Sequence, residues 1–375
     1  MTIPGTERIL HIVEPTLEGQ AGHCPSFVES LCRSGSGRGF SIRVWAGQGA
    51  VLRGCGPDVE VRNHFSRRLR RLQALLLYRK LLASPGRVFV STAGRADLLL
   101  LSWAAREAIP PEKVFLFFHW VRPKPGKAED FRKVAARHPR LVVLGPTPAV
   151  AEVFLQAGFR DVRVVPYPIT SRGEAARTGR DGEGFRHLLY AGAARQDKGF
   201  SHVVDLVAHL ASLRAEIPVT VQASPDHYDR TDPQTKADLV RLASAGYPHL
   251  RVCRETLDAA AYADLFRGAI CLQPYRRDDF ADRISGVMLD AFSAGAPVVT
   301  VSETWMARTV ERFDAGAVLE AISPAGMLDA VESVRKEYPR FRENALRAGR
   351  ALQEEHDAGR LFDALTASAI ERASP

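Results

Sequence analysis

Thirteen apolar runs of strand length recur along the chain, and most are separated by stretches long enough for a helix. In the first half they are RILHIVE (8–14), SIRVWA (41–46), VEVR (59–62), RVFVST (87–92), KVFLFFH (113–119), LVVLG (141–145) and VRVVP (162–166). β-Branched and aromatic residues dominate them, as in strands buried on both faces of a parallel sheet. The polar, glycine-rich stretch SRGEAARTGRDGEG (171–184) has no apolar period and predicts a linker. A second series then begins: RHLLYAG (186–192), PVTVQAS (218–224), HLRVCRE (249–255), AICLQPY (269–275), PVVTVS (297–302) and AGAVLE (315–320). From about 324 onward the pattern is mostly helical. The chain therefore predicts an α/β protein of two consecutive doubly wound domains facing a central cleft. The expected boundaries are a first domain over 1–168, a linker over 169–185, a second domain over 186–345, and C-terminal helices over 346–375 that cross back to the first domain.

A length of 375 residues suits two domains, and 46% apolar with 25% charged residues is a globular composition. No apolar run reaches the length of a transmembrane helix, and the N-terminal sequence has no signal-peptide pattern. Five scattered cysteines without a Cys-x-x-Cys point to a reducing cytoplasm, with neither a disulfide framework nor a zinc site. A formal net charge of +8 favours anionic partners without choosing among them.

Five stretches carry candidate chemistry. EGQAGHCPSF (18–27) follows the first strand, and Gly19 and Gly22 would let backbone approach a ligand at the next helix. It does not form Gly-x-Gly-x-x-Gly, so taken alone the stretch reads first as a flexible loop with His23 at a helix start. LYAGAARQDKGF (189–200) ends a strand in glycine and then presents Arg195 and Lys198. Two cations there suit a diphosphate, and the alternative is a solvated loop. DRISGVMLDAFSAGAPVVTV (282–301) begins a helix at Ser285 and Gly286, with Arg283 and Val287 beside them. The helix start attracts an anion, whereas Asp282 and Asp290 repel one another and would receive hydroxyls on either side of it. Equally, Asp282 is a solvated loop acid and Asp290 a helix-start acid. His119 closes an apolar run in the first domain, where a satisfied loop histidine is also common. The fifth stretch, HFSRRLRRLQALLLYRKLLASPGR (64–87), contains no acid, and none lies between Glu60 and Asp97. Phe65, Leu69, Leu72 and Leu76 follow helical spacing, which predicts a packed helix with leucines in the core and arginines in water. The same composition suits an anionic membrane surface.

Taken in order, these motifs resemble the retaining glycosyltransferases of family 4, which have the GT-B fold. The resemblance spans nearly the whole chain and is strongest from about 140 to 320. It rests on the loop with Gly19, Gly22 and His23, on FFHW with His119, on LVVLGPT with Thr147, and on VVPYPI. In the second half it rests on LLYAGAARQDKGF, on the acid pair spaced as Glu-x7-Glu, and on the Thr-Trp-Met segment of VSETWMARTV. Both acids of the pair are Asp here, and Ala193 stands where the family's arginine most often follows the glycine.

The resemblance implies a retaining, metal-independent glycosyltransferase that moves a sugar from a nucleotide-sugar donor to a hydroxyl acceptor in glycan or polysaccharide biosynthesis. It implies that Asp282 contacts the donor sugar, Asp290 the ribose, and Arg195 and Lys198 the phosphates. Ser285, Gly286 and Val287 would supply backbone N–H groups, with Gly22 and Arg283 also on the donor side. His119 would bind a sugar hydroxyl or position the acceptor. No cofactor is expected, and no metal-binding Asp-x-Asp is assigned; DHYD (226–229) has the wrong spacing. The acceptor would be a lipid-linked glycan, a polysaccharide or a small molecule, with peripheral membrane contact at the inner face as a weaker expectation. A non-catalytic sugar-nucleotide binder and a nucleotide-sugar epimerase are the rival readings. Nucleic acid is not an expected partner, because no recognised binding motif accompanies the charge.

Overall fold

A computed structural model describes residues 8–18, 23–52, 55–122, 125–168, 184–223, 232–255 and 257–367. Gly19 and Gly22, most of the expected linker, and DHYD (226–229) lie outside the described residues. The chain divides into two compact units, Met1–Ser171 with Glu355–Pro375, and Arg172–Glu354.

The first unit contains β1 (Ile9–Glu14), α1 (His23–Gly35), β2 (Ser41–Gly47), β3 (Val59–Phe65), α2 (Arg70–Ala83), β4 (Arg87–Val90) and α3 (Arg95–Ala104). It continues with β5 (Val114–Phe117), α4 (Pro125–Arg137), β6 (Val142–Gly145), α5 (Pro148–Gln156) and β7 (Asp161–Val164). The seven strands form one sheet in the order β3-β2-β1-β4-β5-β6-β7, and every neighbouring pair is parallel. β1 and β5 are wholly buried, which is why their sequences lack the alternation of a half-exposed strand.

The second unit contains β8 (His187–Tyr190), α6 (Phe200–Ser212), β9 (Val219–Gln222), α7 (Pro233–Ala243), β10 (Leu250–Cys253), α8 (Ala259–Asp264) and β11 (Ala269–Gln273). It continues with α9 (Arg277–Phe280), α10 (Gly286–Ser293), β12 (Val298–Val301), α11 (Trp305–Phe313), β13 (Gly316–Leu319), α12 (Pro324–Lys336) and α13 (Tyr338–Glu355). Its six parallel strands run β10-β9-β8-β11-β12-β13. Both sheets reverse their winding direction once, between β1 and β4 in the first and between β8 and β11 in the second. In such sheets the reversal opens a crevice at the carboxyl ends of the two central strands.

The last helix, α14 (Ala358–Thr366), belongs to the first unit and packs on α1. Gly35 permits that contact, because a Cβ there would lie 2.2 Å from the Phe362 ring. Arg38 pairs with Asp363 at 2.6 Å, and Arg87 donates to the Leu365 and Ala367 carbonyls.

The basic segment departs from its expected packing. Phe65 is buried, but at the end of β3. α2 turns Ala74, Leu77, Tyr78 and Leu81 to the core, whereas Leu69, Leu72 and Leu76 are 56%, 55% and 55% exposed. Of the four spaced residues only Leu72 and Leu76 lie in the helix, and they are on its solvent side rather than in the core. Position 69 precedes the helix, and the stretch 74–82 supplies enough further apolar residues to form a second face. Leaving a leucine in water forgoes about 1.5–3 kcal/mol of burial.

Candidate donor site in the second unit

Three chain segments meet around Lys198, at the end of the second sheet where the winding reverses. β8 ends at Tyr190, and Gly192 follows with φ +102°. Its N–H donates to Gln222 Oε1 at 2.8 Å, which ties the loop to the end of β9. A Cβ at Gly192 would lie 3.0 Å from Lys198 Nζ and 3.8 Å from Val287 Cγ2. Glycine at 192 therefore leaves open a small space bounded by the lysine and the first turn of α10.

Gln196–Lys198 form a single 3-10 turn, and Gly199 reverses the chain into α6 with φ +68°. A Cβ at Gly199 would sit 1.9 Å from the Pro274 carbonyl oxygen. This close approach is the local reason for Lys-Gly-Phe, since it docks the loop after β8 against the loop after β11. The Arg276 N–H donates to the Asp197 carbonyl at 3.0 Å and holds the same two loops together.

Lys198 is half-buried, and its Nζ lies 5.8 Å from the Tyr275 ring centre. Burial, reinforced by the positive charges of Arg195 and Arg283, lowers its pKa to about 8. Asp197 opposes that shift only partly. Its carboxylate accepts from Arg195 Nε at 2.8 Å and Nη2 at 2.5 Å, and lies 3.8 Å from Arg283 Nη1. Arg283 in turn stacks on Phe280 at 4.8 Å. One carboxylate thus arranges two guanidiniums beside an ammonium whose charge is already disfavoured. An anion entering this cluster would relieve that repulsion.

α10 supplies the remaining anion-attracting element. Ser285 is its N-cap and accepts from the Met288 N–H at 3.3 Å. Gly286 and Val287 occupy the first turn, where backbone N–H groups lack intrahelical acceptors and the helix dipole is positive. Asp290 lies on the next turn and is half-buried. Burial, and after it the Asp290 charge, pushes the Cys271 thiol of β11 up, to about 12. Asp282 lies before the helix, 44% exposed, and accepts from Arg308 of α11 at 2.9 Å.

In the first unit, His119 lies two residues beyond β5, which ends at Phe117. Its Nε2 donates to the Ser91 carbonyl at 2.8 Å and lies 3.3 Å from Thr92 Oγ1. The ring packs among Phe27, Phe117 and Tyr167 at centre distances of 5.3, 4.9 and 5.3 Å. Ser91 Oγ donates at 2.8 Å to Glu14, a buried acid at the end of β1. Glu14, Ser91 and His119 therefore link three adjacent strand ends.

The structure brings Arg195, Lys198, Arg283, Ser285, Gly286, Val287 and Asp290 together, and leaves Asp282 on an exposed ion pair. The sequence reading missed Asp197, Arg308 and Glu14. Asp197 was visible between Arg195 and Lys198, and Arg308 follows the Thr-Trp-Met segment, but neither pairing can be read without the tertiary structure.

No protein-family model matches the chain, and no curated protein does. Solved structures do. Over 96% of this chain and 100% of its own, WaaG, a glycosyltransferase involved in lipopolysaccharide biosynthesis, superposes with a TM-score of 0.64 at 15% identity. HepE of Anabaena in complex with UDP-glucose superposes over 95% and 98% with a TM-score of 0.66 at 13% identity. The α,α-trehalose 6-phosphate synthase of Burkholderia multivorans covers 99% and 98%, with a TM-score of 0.68 at 13% identity. The chain has the GT-B fold. Within that fold both units are Rossmann-like, and the cation cluster stands at the winding reversal of the second.

Proposed function

We propose that this GT-B protein is a retaining, metal-independent glycosyltransferase of the family 4 type, transferring a sugar from a nucleoside-diphosphate sugar to a hydroxyl acceptor. The observation that carries the reading is the enclosure of Lys198 between Arg195, Arg283 and the amino end of α10. As the glycosidic bond to the donor breaks, negative charge grows on the departing diphosphate. Groups already oriented toward that charge lower the barrier without reorganising. Lys198 and Arg195 bind the diphosphate, with Arg283 beside them, and the Gly286 and Val287 N–H groups complete the cradle. These cations do the work that a divalent ion would otherwise do. Asp290 receives the ribose hydroxyls, and Asp282 orients the donor sugar once it leaves Arg308. His119, with its Nε2 proton committed to the Ser91 carbonyl, positions a sugar or acceptor hydroxyl. The family likeness supports retention and a role in glycan or polysaccharide biosynthesis.

The first test is thermal stabilisation by UDP, GDP, ADP and their sugar conjugates, with magnesium or with EDTA, on the wild type and on Lys198→Ala. A ligand that binds only the native state raises the melting temperature by mass action. A shift with one base that is unchanged by EDTA and absent in Lys198→Ala supports the reading, and no shift with any nucleotide sinks it. The Asp282–Arg308 ion pair favours a second reading, a sugar-nucleotide binder without turnover. Nucleotide-sugar binding without release of nucleoside diphosphate over a broad acceptor panel would establish that alternative.

A further inference from the structure

We propose that the outer face of α2 is a docking surface for an anionic lipid bilayer. This inference rests on the first unit alone and not on the donor site. Leu72 and Leu76 lie on the side of α2 opposite Ala74, Leu77, Tyr78 and Leu81, which face the core, and the exposed Leu69 stands at the N-cap just before them. The exposed leucines form a ridge about 10 Å long at the helical rise per residue. Neighbouring α3, which packs on α2, exposes Trp103 at 63%.

Cations flank the ridge. Arg67, Arg68, Arg70, Arg71 and Arg79 lie on or just before α2, and none takes part in a salt bridge among the described residues. Lys80 Nζ lies 5.6 Å from the Trp45 ring centre. No acid occurs between Glu60 and Asp97, so nothing within this stretch neutralises the face. The amino end of α2, next to Arg67 and Arg68, adds its own partial positive charge.

Apolar ridge and cationic flanks together select the occupant. A helix lying in the plane of a membrane interface sinks its apolar side chains to the acyl boundary and leaves its cations among the headgroup phosphates. Nucleic acid would use the arginines and gain nothing from three leucines between them. A second copy of this chain would bury the leucines but bring two sets of unpaired arginines together. Only an anionic bilayer satisfies both chemistries at once.

The test is co-sedimentation of the full chain with vesicles of phosphatidylcholine alone or with about one third phosphatidylglycerol. Two variants separate the contributions: Leu69→Gln, Leu72→Gln and Leu76→Gln together, and Arg67→Gln, Arg68→Gln, Arg70→Gln and Arg71→Gln together. All of these side chains except the half-buried Arg70 are exposed, and both variants keep the wild-type circular dichroism and melting temperature. A cation near the surface is worth about a fivefold gain in partition, so the arginine variant loses at least tenfold on anionic vesicles. The leucine variant likewise loses at least tenfold, and the wild type does not bind neutral vesicles. The proposal fails if the wild type ignores anionic vesicles at low salt. It also fails if the leucine variant binds as well as the wild type, if inorganic phosphate displaces the protein from vesicles where chloride of equal ionic strength does not, or if lipid-free protein forms a dimer that the leucine variant abolishes.

Discussion

Lys198 gives the sharpest quantitative test of the proposed donor site. Its pKa is lowered from 10.5 to about 8, chiefly by burial and then by Arg195 and Arg283, which corresponds to roughly 3 kcal/mol against its charged form. The negative charge of a diphosphate beside the ammonium offsets the cost of burial and the repulsion from the two arginines, and so restores the proton. At pH about 8 the unliganded lysine is half protonated, so each diphosphate bound takes up about 0.5 proton. The uptake rises to about 0.9 proton near pH 9 and falls to about 0.1 near pH 7. By the same linkage, affinity for the diphosphate falls about tenfold per pH unit above pH 8. Isothermal titration calorimetry of UDP, GDP or ADP, in buffers of different ionisation enthalpy, counts the protons directly. Lys198→Met provides the control and also a stability readout. A depressed lysine penalises folding below its folded pKa, and the penalty fades as pH rises from about 8 toward 10.5. The Met variant is therefore the more stable protein at neutral pH, by up to roughly 3 kcal/mol, with a gap that closes in alkali. Binding with no proton uptake between pH 8 and 9, or with the same uptake in the Met variant, would refute the placement of Lys198 at the diphosphate.

Five further substitutions test other parts of the structure. Gly199→Ala combines a left-handed backbone with a 1.9 Å clash against the Pro274 carbonyl, and loses about 2–4 kcal/mol in urea melts. Gly246→Ala, at φ +61° with nothing within 4 Å of the new Cβ, loses only about 1–2 kcal/mol by the same measurement. Asp290→Ala weakens nucleoside diphosphate binding by about 10–100-fold in calorimetry, as expected for lost hydrogen bonds to a charged group. Asp282→Ala leaves nucleoside diphosphate affinity unchanged and lowers turnover of the nucleotide sugar; equal losses of nucleotide affinity in the two variants would overturn the separate roles. In the first unit, burial holds the His11 pKa at about 4, so the unfolded chain takes its proton first as pH falls. Stability is therefore lost between pH about 6.5 and 4, by up to roughly 3 kcal/mol, and His11→Gln flattens that dependence in urea melts.

The elements were legible because their physics is local. All thirteen apolar runs become strands, since a strand buried on both faces must be apolar throughout and must be interrupted where it leaves the sheet. The cap at Ser285 was readable for a similar reason, because a cap depends on a few neighbouring residues. Several runs overshoot their strands, and the excess residues carry chemistry: Ser91 and Thr92 after β4, His119 after β5, Tyr275 after β11. Apolar pattern alone does not mark where hydrogen bonding to the next strand stops. The order of strands, and so the position of the winding reversal, is set by long-range pairing that leaves no local trace. The same holds for charge. Asp197 between two arginines and Asp282 against Arg308 join positions separated by 26 residues or more in two of the three pairings, and only the folded chain selects those partners. α2 illustrates the limit most plainly. The sequence determined a helix with leucines three and four residues apart, but which face meets the core was decided by packing against β3 and α3. A helix rich enough in leucine to cover two faces can bury only one, and its neighbours decide which face is left in water.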